Sequence, residues 1–156
     1  MAGRAHTYRI EIEWTGNDGE GAKRYAGYRR DHVIRAEGNP DIPGSSDPNF
    51  RGDASRWNPE ELLVASLSAC HKLWVLHLAS VAGVVITGYV DRAEGVMEET
   101  GDGSGRFAQV TLRPEIIISE GDASKLDAIH HEAHEKCFIA NSVNFPVTVE
   151  GSVRAA

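Results

Sequence analysis

The chain holds two cysteines, and each has neighbours that bear on what its sulfur can do. Cys70 sits inside the apolar stretch LLVASLSACHKLWVLHLASVAG, Leu62 to Gly83, with His71 and Lys72 directly after it. Glu60 lies ten residues upstream, and Cys137 ends the segment HHEAHEKC. A cluster of cationic residues, Lys23, Arg24, Arg29 and Arg30, stands far earlier in the chain. A thiol acts as a nucleophile only as the thiolate, and burial in an apolar helix opposes ionisation. Cys70 is also too far into its helix to benefit from the helix dipole, which fades after the first turn. Taken alone it reads as an inert core residue. A nucleophile at this position needs a fixed cation nearby. Arginine suits best, because it does not deprotonate and its planar fork can hold a carboxylate as well as a thiolate.

Two isolated cysteines leave three readings open: core residues, ligands of a mixed metal site, or a reactive pair. A disulfide scaffold of the secreted kind is shorter and richer in cysteine. The segment HHEAHEKC invites the metal reading, since His130 and His134 are one helical turn apart and His131, His134 and Cys137 are three apart. It is not the H-E-x-x-H pattern, because Glu132 and His134 are only two apart. No second cluster supplies the remaining ligands, so no metal and no other cofactor is expected, and the histidines are placed on a polar helix face.

At 156 residues the chain reads as one domain over 1–156, long enough for a substantial core. A net charge of −7 argues against a nucleic-acid surface, which needs a basic patch. The N-terminal MAGRAHTYRIEIEW lacks the apolar core of a signal peptide. Leu62–Gly83 has the length of a membrane span, but His71, Lys72 and His77 interrupt it, and charge at mid-membrane is costly. A soluble, cytoplasmic protein is expected.

The elements that must position these residues follow from periodicity. In TYRIEIEW, Tyr8, Ile10, Ile12 and Trp14 alternate with charged residues, which predicts a half-buried antiparallel strand. Further strands are expected near Lys23–Arg29 and His32–Ala36. Residues 37–57 carry Gly, Pro, Asp and Ser without periodicity and read as a long loop, either a pocket wall that includes Trp57 or a floppy insertion. Asn58, Pro59, Glu60 and Glu61 form a strong helix start, and Gly83 a stop, so a helix is predicted up to Ala82. Apolar residues fall on nearly every face, which makes it a core helix. Two strand runs, VVITGYVDRAEGVME and RFAQVTLRPEIIIS, flank a glycine-rich turn and read as a hairpin. SKLDAIHHEAHEKC predicts a second helix with Leu126, Ile129 and Ala133 inward, and a last strand alternates Phe145, Val147, Val149 and Val153. The fold class is α+β, antiparallel sheet packed against helices.

NPEELLVASLSACH, Asn58 to His71, resembles the signature of the OsmC/Ohr family of thiol peroxidases, in which such an opening lies ten residues before a cysteine in a small-residue context. EKCFIANSV resembles the segment around that family's second cysteine, and Trp14 with Lys23-Arg24 is similar to its N-terminal hairpin carrying an active-site arginine. The resemblance covers essentially the whole chain. It implies an intertwined homodimer around a long central helix, and reduction of organic hydroperoxides or hydrogen peroxide. Cys70 would be the peroxidatic cysteine, Cys137 the resolving one, Arg24 the activating arginine ahead of Arg29 and Arg30, and Glu60 its orienting carboxylate. A dithiol such as a lipoylated protein would be the reductant. His71 departs from the apolar or aromatic residue common at this place, and looks more like an OsmC-like subgroup. Adjacent helical residues point to different faces, so His71 is expected to pack or hydrogen-bond rather than to activate Cys70. The alternative reading is an OsmC-fold protein that binds a small molecule or senses redox state without efficient peroxidase activity.

Overall fold

The structure is a computed structural model describing residues 3–156. The chain forms two compact units, one ending at Leu62 and one spanning Leu63–Ala156.

The first unit is built on an antiparallel sheet in the order β1-β2-β3, with β1 Glu11–Trp14, β2 His32–Arg35 and β3 Ile42–Gly44. The alternation around β1 does produce a strand, but its apolar face is not buried: Tyr8, Ile10, Ile12 and Trp14 are all exposed. Three strands of three or four residues are too small to bury a face unaided. The strand expected near Lys23–Arg29 does not form. Arg30 ties this segment into turns instead, stacking on the rings of Tyr25 and Tyr28 and donating to both of their carbonyls. Residues 37–57 are structured rather than floppy. They contain β3 and a 3-10 turn at Pro48–Phe50, and Trp57 accepts the Ser45 N–H and donates its own N–H to the Pro43 carbonyl.

The second unit carries α1 (Pro59–Val81) from its second turn onward, then β4 (Val85–Asp91), β5 (Glu94–Glu99), β6 (Gly105–Leu112), β7 (Pro114–Glu120), α2 (Leu126–Lys136), β8 (Val147–Val149) and β9 (Ser152–Ala155). Gly83 adopts φ +73 just past α1, a left-handed stop that favours glycine. The expected hairpin is present but split between two sheets. β4 pairs with β7, and β5 with β6, both antiparallel. The expected last strand is also split, at Glu150 and Gly151. β8 joins β6 and β9 joins β7, both in parallel, so the sheets are mixed rather than purely antiparallel.

Two apolar clusters result. Val75 and Ala79 of α1 pack with Ile116, Ile118, Leu126, Ile129 and Ala133. Leu67 packs with Val110 and Leu112, covered by Phe107, Phe145 and Val147. The fully buried residues of α1 form the row Leu67, His71, Val75 and Ala79. Leu73, Leu76 and Val81 remain exposed in the single chain, while Val64, Trp74 and Leu78 are half-buried against the two clusters. The helix is long and apolar enough to cross a bilayer by length and composition, yet this row is packed into protein.

Candidate active site

Cys70 lies in the middle of α1, half-buried, and Cys137 forms the C-cap of α2, buried. Both are free thiols, and Cys70 is close enough to Cys137 to act on its ionisation. The Cys137 sulfur also accepts the backbone N–H of Ala140 at 3.4 Å. Burial pushes the Cys137 thiol up to about 11, and the neighbouring Cys70 adds to the shift, so it stays protonated at neutral pH. Aromatic side chains stand beside the pair. Trp74, one helical turn after Cys70, meets Phe138 edge to face at 6.1 Å, and the Lys136 ammonium lies 5.7 Å from the Trp74 ring. Sequence reading had singled out none of these three. Their signal was spacing: Trp74 is four residues from one cysteine, and Lys136 and Phe138 flank the other.

At the start of α1, the Glu61 N–H donates to Asn58 Oδ1 at 2.8 Å, and the Asn58 N–H donates to Glu61 Oε2 at 3.2 Å. This reciprocal capping box assigns the helix-start role to Glu61. Among the described residues Glu60 has no side-chain hydrogen bond or ion pair, so its carboxylate is not committed to the cap.

The three arginines differ sharply. Arg24 is exposed in a turn and pairs with Glu20 at 3.5 Å. Arg29 is held by Asp18 and by the buried Asp31, and the Asp18 hydrogen bond is the main reason its pKa is raised. Asp31 also accepts from Ser45 Oγ and lies 3.7 Å from Arg56, a carboxylate centre the sequence did not reveal. Arg30 is fixed between Tyr25 and Tyr28. Of the three, Arg24 is the one held by neither a buried carboxylate nor an aromatic ring.

The histidines of α2 do not form the polar face expected of them. His131 is exposed beside Glu135, but His130 is half-buried and hydrogen-bonds His71. Among the described residues no three His, Cys, Asp or Glu side chains converge as a metal cage requires.

Residues 52–152, well over half of the chain, match the family described as OsmC-like protein. The chain belongs to that family. Its fold agrees with an OsmC-like protein of unknown function from Vibrio cholerae, at 30% identity over 94% of this chain and 99% of that one, with a TM-score of 0.85. An organic hydroperoxide resistance protein from Legionella pneumophila shares the fold at 18% identity, covering 97% and 98% of the two chains, TM-score 0.66. The organic hydroperoxide resistance protein OhrB of Bacillus subtilis does so at 19% identity, covering 96% and 98%, TM-score 0.61. Comparison with curated protein sequences gave no match. The family is thus shown for this chain, and the two hydroperoxide resistance proteins share its fold.

Proposed function

We propose that this OsmC-like protein is a cysteine-based peroxidase that reduces organic hydroperoxides, and hydrogen peroxide less readily, through a Cys70–Cys137 disulfide. The observation that carries the reading is the approach of the two thiols. The Cys70 thiolate attacks the outer oxygen of R–O–OH, the O–O bond breaks, and the alkoxide takes a proton to leave as alcohol. Cys70 is then a sulfenic acid. Cys137 gives up its proton and attacks the Cys70 sulfur, hydroxide leaves as water, and the disulfide forms. A dithiol, such as a lipoylated protein, returns both cysteines to thiols and is oxidised in turn. Trp74 and Phe138 give the peroxide's carbon chain an apolar surface beside the reacting sulfur, which favours organic substrates over hydrogen peroxide.

The remaining residues enter as the family resemblance assigns them: Arg24 stabilises the thiolate and the polarised peroxide, and Glu60 orients Arg24. Ten residues of α-helix rise about 15 Å, so Glu60 and Cys70 of one α1 helix do not touch. A site containing both draws on two copies of the chain. The exposed row Tyr8, Ile10, Ile12 and Trp14 and the exposed apolar residues of α1 offer a homodimer the surface it needs. Free thiols suit a reducing compartment, and we place the protein in the cytoplasm.

The test is consumption of cumene or tert-butyl hydroperoxide with a dithiol reductant, comparing wild type with Cys70→Ser. Loss of consumption in the variant supports the reading. Equal rates would overturn it and leave a binding or redox-sensing protein of the same fold.

A further inference from the structure

α1 buries the row Leu67, His71, Val75 and Ala79, and His71 is its one polar member. It lies on the helix between the two apolar clusters, which receive Leu67 on one side and Val75 on the other. An apolar residue there would complete the row. Instead an imidazole is almost fully buried, at 1% exposure, with its Nδ1 unpartnered among the described residues. Leaving a buried polar atom unpaired costs about 1–3 kcal/mol, so a gain elsewhere should offset it. What the imidazole does make is one directed bond: its Nε2 lies 3.0 Å from His130 Nδ1 on α2. The ring planes are within 6° of parallel and their centroids 5.2 Å apart, too far for face-to-face stacking, so the contact is edge to edge through the hydrogen bond. His130 is confined on its other side as well. A methyl group at Gly151 would stand 2.9 Å from His130 Nε2, which is why glycine occupies that position.

His71 directly follows Cys70 on α1, and His130 precedes Cys137 by seven residues, two turns of α2 on the same face. The two helices thus meet at two polar points, imidazole to imidazole and thiol to thiol. These points are one residue apart on α1 and seven apart on α2, so together they fix both the register and the crossing of α2 over α1. The apolar contacts of Leu126, Ile129 and Ala133 tolerate a slip of a fraction of an ångström; a hydrogen bond does not. A disulfide tolerates it little better, since its sulfur separation and torsion are narrowly defined.

We infer that His71 and His130 are positioning residues whose hydrogen bond holds Cys137 in register with Cys70 for disulfide formation. Neither imidazole needs to touch the peroxide. The inference rests on the proposed Cys70–Cys137 disulfide but not on peroxidase turnover.

The test is therefore a redox equilibrium. Wild type and variants are equilibrated with mixtures of reduced and oxidised glutathione, quenched, alkylated and weighed, which gives the effective concentration of the two thiols towards each other. His71→Leu and His130→Leu keep the bulk and remove the bond, and each should lower that concentration roughly tenfold. His71→Gln and His130→Asn replace the bonded nitrogens by amide groups and should stay within about threefold of wild type. Gly151→Ala leaves both imidazoles intact but presses on His130 Nε2, and should lower the value too; it decides the matter if a leucine variant fails to fold. Leucine variants equal to wild type would overturn the inference. So would glutamine and asparagine variants that fall as far as the leucines, because ring shape rather than the hydrogen bond would then be at work. A wild type that closes its disulfide with glutathione yet consumes no hydroperoxide overturns the proposed activity and leaves this inference standing.

Discussion

Asn58 and Glu61 exchange hydrogen bonds across the first turn of α1, each side chain holding the other's backbone N–H. The neighbouring Glu60 is left out of that exchange. The two glutamates are indistinguishable by type and adjacent in sequence, yet their consequences separate. Glu61→Ala should cost about 1 kcal/mol of stability, the usual worth of a cap, and leave hydroperoxide consumption unchanged. Glu60→Gln should do the reverse, lowering consumption with little change in the melting temperature. Thermal melts and peroxide assays on the two variants decide it; the opposite pattern would exchange their roles.

The arginine cluster divides in the same manner. Arg29 is the direct partner of buried Asp31, and Arg30 is clasped by two tyrosines. Arg24→Gln should slow the reaction of Cys70 with hydroperoxide while the melting temperature holds. Arg29→Gln should lower the melting temperature, because it leaves Asp31 to the more distant Arg56. Peroxide kinetics that respond to Arg29→Gln at unchanged stability, and ignore Arg24→Gln, would move the activating role to Arg29.

Cys137 should be a slow nucleophile on its own. Burial, then the Cys70 thiol, pushes it up to about 11. In Cys70→Ser the contribution of Cys70 disappears and that of burial remains. Alkylation of Cys137 by iodoacetamide should then stay slow up to about pH 9, well behind a free model thiol. Rapid labelling at pH 7 would show the thiol to be accessible and ionised.

The buried imidazoles predict a pH dependence of stability. Burial lowers the His71 pKa from 6.5 to about 4, with His130 and His134 nearby adding to the shift. Burial lowers His130 in the same direction, while Asp127 and Asp91 oppose it. The folded protein therefore binds these protons more weakly than the unfolded chain. The contribution to stability is complete above pH 6.5, declines as the pH falls towards about 4, and is level below that. The slope from His71 is at most about 1.4 kcal/mol per pH unit. Urea unfolding at a series of pH values should show this decline in wild type and a shallower one in His71→Leu. Identical slopes would mean that His71 is not the group titrating.

Much of this architecture is legible in local sequence. Asn58 and Pro59 start α1 and Gly83 stops it, and the inward residues Leu126, Ile129 and Ala133 mark α2, because capping and periodicity act within one or two turns. The two cysteines were conspicuous for the same reason: a thiol in an apolar helix stands out against its neighbours. What local pattern could not supply is every relation between distant segments. The alternation of the hairpin continues smoothly from Val110 to Ile118, yet its two halves enter different sheets and different clusters. Alternation records only which side a residue faces, not what it meets there. β1 shows the converse, an apolar face written in the sequence that a small sheet leaves exposed. The polar pair is the sharpest case. His71 and His130 are 59 residues apart, and nothing near either one names the other. Folding against the same sheets brought α2 over α1, and only that packing turned two separate histidines into a hydrogen bond and two separate cysteines into neighbours.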